Sequence, residues 1–182
     1  MSLRLFLLER HLPAALRRRM FDQLVRVTAD AFGVRPPEFA RLKPADGTRR
    51  FAEFTRAEAE RVLAAGSTSS VVSDRLFHGA QELGARVRRR LGIRRPDEAF
   101  RALRLLYGAI GIDLDRDPHT GDLIVGRCAF SDTYTPTVCA FVSALDSGIF
   151  AGITRGTTLA FTARLTEGAS QCRARLVGSA QV

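Results

Sequence analysis

Apolar residues along the first 110 positions recur at the helical period, and proline and glycine mark where each run stops. Leu16, Met20, Leu24, Val27 and Phe32 define one stripe, with Gly33 where a left-handed cap belongs, which predicts a helix from Pro13 to Phe32. The turn VRPPEF and a polar connection follow, then a short helix in TRAEAERVLAAG, with Thr55 as N-cap and Glu58 as its capping-box partner. GSTSSVVSD, small and polar, reads as a flexible joint too short to separate two domains. A third helix is predicted over Ser73–Leu91. It contains Gly79 and Gly84, and glycine in an exposed helix interior costs about 1 kcal/mol relative to alanine. Close packing against another backbone would account for them. A fourth helix starts at Pro96, an N1 proline, and runs to Ile110 with Phe100, Leu103, Tyr107 and Ile110 on one stripe.

Beyond Gly111 the period changes to two. GIDLDRDPHTGDLIVGRCAF places the turn DPHTGD between two apolar runs and predicts a hairpin. TTLAFTARL and SQCRARLV flank TEGA and predict a second, with Leu159, Phe161, Ala163 and Leu165 on one face and Cys172, Ala174 and Leu176 on the partner's. Cys128 shares a strand face with Ile124 and Gly126 in this pattern. Between the hairpins, TPTVCAFVSALDSGIFAGI is apolar on almost every side and reads as a buried helix. The sum is one α+β domain over residues 1–182. Residues 1–110 are mainly helical and pack on a small antiparallel sheet; residues 111–182 supply hairpin, buried helix and hairpin.

The chain is 46% hydrophobic and 26% charged, which excludes disorder. No apolar run approaches the roughly 18–20 residues that cross a bilayer, and the apolar start is broken by Glu9 and Arg10, so neither a membrane span nor secretion is expected. Cys128, Cys139 and Cys172 are odd in number and lack CxxC spacing, which fits a reducing cytoplasm better than a disulfide framework. The net charge of +9 is uneven: residues 1–107 hold 22 basic and 12 acidic groups, residues 108–182 hold 6 and 7. Arg17–Arg19 and Arg86–Arg95 are the dense clusters, and the second includes the C-terminal end of a helix, where cations complement the macrodipole. Neither is interleaved with aromatic residues that would stack on bases, which counts against a nucleic-acid partner.

Chemistry concentrates in the last third. Cys139, Ser143 and Asp146 fall at i, i+4 and i+7 of the buried helix and so share a face. A buried carboxylate needs partners, so Asp146 either caps a break before Ser147 and Gly148 or faces a polar cavity. Cys128 and Cys172 point to the same interior as Phe161, and His78 and Arg164 are the groups offered to activate a thiol. His11 and His119 are set aside. Spacings of 11 and 33 residues between the cysteines match no compact zinc motif. There is no Walker A loop, G-x-G-x-x-G, G-x-S-x-G or H-E-x-x-H sequence, and no cofactor is implied.

Cys128 and Phe130 at a strand end, Tyr134, an apolar helix carrying Asp146, a strand, Gly168 and a final Cys172 together resemble the C-terminal part of 2-aminothiazoline-4-carboxylate hydrolase-like proteins. In outline this is similar to the 4-vinyl-reductase-type small-molecule-binding domains. The resemblance covers about 75 residues and departs at Arg173 and Ala174, where the hydrolase family carries an acidic or aromatic pair. It implies a hydrolase of a cyclic C–N substrate, with Cys128 or Cys172 as the thiolate and Cys139 beside them. Asp146 would handle the proton, Tyr134 or Arg164 would orient a carboxylate, and Ser143 and His78 would complete the substrate contacts. Two alternatives stay open: a non-catalytic small-molecule-binding or sensory module, and a subunit that forms a homodimer through its helices.

Overall fold

The computed structural model describes residues 3–39, 43–66 and 68–178. It is an α+β fold of six α-helices and a four-stranded antiparallel sheet. The helices are α1 (Leu3–Arg10), α2 (Ala14–Phe32), α3 (Pro44–Ala65), α4 (Ser69–Leu91), α5 (Pro96–Ala109) and α6 (Pro136–Thr154). The strands are β1 (Ile112–Arg116), β2 (Leu123–Cys128), β3 (Thr158–Ala163) and β4 (Cys172–Val177), in the order β1-β2-β4-β3. Each hairpin pairs internally, and β2 joins β4 in antiparallel register, Ile124 opposite Arg173. α6 connects the two hairpins. One apolar cluster links Leu5 and Val25 on the first helices to Val125 and Ala174 on the sheet through Phe150 of α6.

The C-terminal ends of α2, α4 and α5 fall within a residue of their predicted limits, while α4 starts at Ser69, four residues before expected, and Gly33 and Gly92 take the left-handed conformation that closes α2 and α4. α3 differs from expectation. It begins at Pro44, in the first turn, and runs 22 residues, so Thr55 is an interior residue and not a cap. Phe51, Thr55, Ala59 and Val62 form a buried stripe that holds the early turns helical despite their polar composition. Thr55 is fully buried and its hydroxyl returns to the carbonyls of Phe51 and Ala52 at 2.8 and 3.1 Å. The expected joint is also shorter: Gly66 ends α3, α4 is already formed at Ser69, and Ser67 lies outside the described residues.

The glycines of α4 meet what their presence implies. Gly84 lies against α6, where an added Cβ would come within 2.6 Å of the Ile149 carbonyl and 3.2 Å of the Gly152 Cα. Gly148 and Gly152 of α6 face back onto α4 so closely that a methyl group on either would collide with the carbonyl of Phe77 or Gln81. Gly79 is packed by Val27 of α2. Among the described residues α6 is the one helix long and apolar enough to cross a bilayer, so such a run does exist despite its polar interruptions. Here it packs along α4 and carries Asp146.

Two irregularities decide which strand residues face inward. On β2, Gly126 has no partner between the pairs Asp113–Arg127 and Leu114–Val125. The extra residue shifts the alternation, so Leu123 and Val125 are buried and Cys128 faces the same interior, not the face of Ile124 and Gly126. On β3, Thr162 is the extra residue. The DPHTGD turn is braced: Asp117 accepts from the backbone of His119 and Thr120, and Arg173 bonds both Asp117 and Asp122, at 2.9 and 3.4 Å. These contacts hold Asp117 down to about 2, the His119 N–H contributing most. Arg173, a point of departure from the resemblance, thus pins one hairpin to the other.

Candidate functional site

A cavity of about 150 Å³ opens where α2, α5, α6 and the ends of β2 and β4 converge. Its walls are mainly apolar, including Leu24, Leu83, Leu106, Ile112, Leu145 and Ile149. Cys128, Cys139, Cys172, Tyr134 and Asp146 all line it, although they come from α6, two strands and a loop. Each arrives by a local rule. Cys128 is turned in by the β2 bulge, Cys172 leads the buried face of β4, and Cys139 and Asp146 stand two helical turns apart on α6.

Asp146 is mid-helix, because α6 continues unbroken through Ser147 and Gly148 to Thr154; the capping alternative is thereby removed. Its Oδ1 accepts a 2.8 Å hydrogen bond from the Tyr107 hydroxyl. Burial pushes the carboxyl up to about 6, against the opposing effects of that hydrogen bond and of the Arg164 charge. Burial also raises Tyr107 well above its usual range, with Asp146 adding to it, so the phenol remains the donor. The Tyr134 hydroxyl bonds Thr55 on α3, tying the loop before α6 to the helical layer, and burial raises its pKa as well.

Two of the thiols, Cys128 and Cys172, are held protonated by burial. Burial pushes Cys128 up to about 12, and the Phe130 backbone N–H that bonds it only partly opposes this. Cys172 is raised by burial too, even though its sulfur accepts the Leu165 N–H at 3.3 Å. A neutral thiol is a poor nucleophile. Ser143 and Arg164 do not line the cavity; they bond each other beside it at 3.4 Å, and Arg164 reaches the Cys139 sulfur at 3.9 Å. The Arg164 guanidinium stacks 4.1 Å over the Phe161 ring and lies 3.7 Å from Glu167. His78 is exposed and does not line the cavity, because Leu76 and Ala80 occupy the inward side of α4 and leave position 78 on its outer side.

Three lining groups carry chemistry that the local pattern did not signal. Tyr107 reads as one member of the apolar stripe of α5, and the need of its hydroxyl for a polar partner is the sign that could have pointed to Asp146. Arg17 belongs to a surface arginine run, yet its Nε is buried with no hydrogen-bond partner among the described residues, as is the Thr166 hydroxyl, and both line this cavity. Among the described residues no three His, Cys, Asp or Glu side chains are grouped to hold a metal ion. Comparison with protein-family models, with curated proteins and with solved structures finds no match for this chain.

Proposed function

We propose that this protein is a small-molecule-binding domain whose ligand occupies the cavity between α2, α5, α6 and the sheet. The observation that carries the reading is the wall itself: apolar side chains, with the Cys128 and Cys172 thiols kept neutral by burial, around a space of about 150 Å³. A space of that size admits a benzene-sized ring. The unpartnered Arg17 Nε and Thr166 hydroxyl give the ligand room for one polar substituent. Ligand-observed NMR with indole and toluene tests it: saturable binding that disappears in Leu145→Trp, which fills the space, is the expected result. In the same protein Cys128 and Cys172 should react with iodoacetamide no faster than the chain unfolds. Absence of binding, or a thiol labelled rapidly in the folded state, would overturn the reading.

One observation favours a second reading. A carboxyl raised to about 6 inside a cavity is poised for proton transfer near neutral pH. Hydrolysis of a cyclic C–N substrate would then depend on Asp146 and not on a thiolate. Ring opening of 2-aminothiazoline-4-carboxylate, followed by mass spectrometry and abolished in Asp146→Asn, is its test; no turnover in the unmodified protein removes it.

A further inference from the structure

A second hollow, of about 190 Å³, lies where α4 and α6 end, α5 begins, and β1 and β4 finish. Its floor is apolar, with Leu103, Phe150 and Ile153 buried beneath it. Its rim is cationic: Arg88, Arg94, Arg95, Arg116 and Arg155 all line it, and no carboxylate does. The nearby acids stand outside the hollow. Asp97 binds Arg95 through two bonds of 2.9 and 2.6 Å, Glu98 is buried and accepts the backbone N–H groups of Arg94 and Arg95, and Asp115 accepts the N–H of Arg116. Arg88, Arg94, Arg116 and Arg155 form no ion pair with a described residue.

Helix macrodipoles account for part of this arrangement, since Arg88 and Arg155 stand at the C-terminal ends of α4 and α6. They do not account for Arg94 and Arg116, which belong to neither end, nor for the convergence on one hollow of four cations that pair with no acid among the described residues. Arg155 also holds a left-handed backbone, φ 67°, among the described residues the one non-glycine to do so, at a position where glycine would be free of strain. The cations repel: burial, then the charges of Arg155 and Arg89, hold Arg88 below its ordinary pKa. Arg116 lies 5.0 Å over the Phe100 ring, a cation–π contact at the edge of the hollow.

From this rim and floor we infer an anion-binding site for a multiply charged phosphoryl group whose organic part rests on the half-buried Phe100 and Leu176 that line the hollow. Arginine's planar fork of donors matches phosphate oxygens, and several arginines around one anion relieve their own repulsion. The group could reach the hollow on a soluble phosphoester or on a lipid head. The site is independent of the cavity reading.

Isothermal titration of the full chain with pyrophosphate and with ATP tests the site, alongside sedimentation with phosphatidylcholine vesicles containing or lacking phosphatidic acid. The expected result is saturable one-to-one binding, weakened about tenfold or more in Arg88→Gln and in Arg155→Gln. Arg35→Gln, which removes the same charge from an exposed position outside the hollow, should bind as the unaltered protein does. Arg94→Gln, at an exposed side chain, provides a variant whose folding is not at risk. Binding to pyrophosphate or ATP identifies a soluble ligand, and binding confined to phosphatidic acid vesicles identifies the lipid head; either supports the site. No binding in any arm, or equal weakening by Arg35→Gln, overturns it, the latter because the chain's overall positive charge would then suffice.

Discussion

Asp146 shows how one residue's environment sets a measurable property. Its ordinary pKa of 3.8 is raised to about 6 by burial, so between those values the folded chain binds a proton that the unfolded chain has released. Stability therefore falls as pH rises from about 4 to about 6, and the loss is complete above that, amounting to about 2–3 kcal/mol at the usual 1.4 kcal/mol per unit. Asp146→Asn keeps an acceptor for Tyr107 and removes the charge. We expect it to melt higher than the unaltered protein at pH 8 and equally at pH 4, as read by calorimetry across that range. An Asn variant that is less stable at pH 8 would show that the carboxylate is better compensated than its partners imply. That Asp146 lies on a buried helix was legible from the apolar run around it. Its partner was not, because Tyr107 is 39 positions away and on another element.

At the scale of elements, α4 and α6 pack backbone to backbone. Gly84 on one helix faces Gly152 on the other, and Gly148 sits against the methyl group of Ala80, so these small residues let the two helices meet closely. A Cβ on Gly152 would lie 2.7 Å from the Ala85 nitrogen and 2.9 Å from the Gly84 Cα, and neither can yield without moving a helix. Gly152→Ala should therefore destabilise the protein by about 1–3 kcal/mol. Gly108 on α5 has nothing within 4 Å of its added Cβ, and Gly108→Ala should stabilise by about 0.5–1 kcal/mol. Urea unfolding of the pair checks both signs. The sequence pattern located both glycines of α4 and anticipated a close neighbour, but not which one. For α3 the pattern failed in the other direction: polar residues between Pro44 and Phe51 hid a helix that burial of Phe51, Ala52 and Thr55 maintains.

For the whole molecule, charge acts on stability alongside packing. A net +9, concentrated in the first 107 residues, sets up self-repulsion that salt screens, with a Debye length falling from about 30 Å at 0.01 M to about 10 Å at 0.1 M. The melting temperature should rise over that interval. A flat or falling profile would mean that surface pairs such as Arg127–Asp113 outweigh the repulsion. The chain's own periodicities determined the α+β class, the two hairpins, the N1 proline of α5 and the long apolar helix between the strands, because these depend on neighbours within a few residues. Tertiary structure alone decided the rest. One unpaired glycine on β2 turns Cys128 inward, burial silences the Cys128 and Cys172 thiols, Arg17 is drawn from a surface run into a cavity wall, and His78 is left outside. Such outcomes depend on which elements meet, and the positions that meet are dozens of residues apart, beyond the reach of any local pattern.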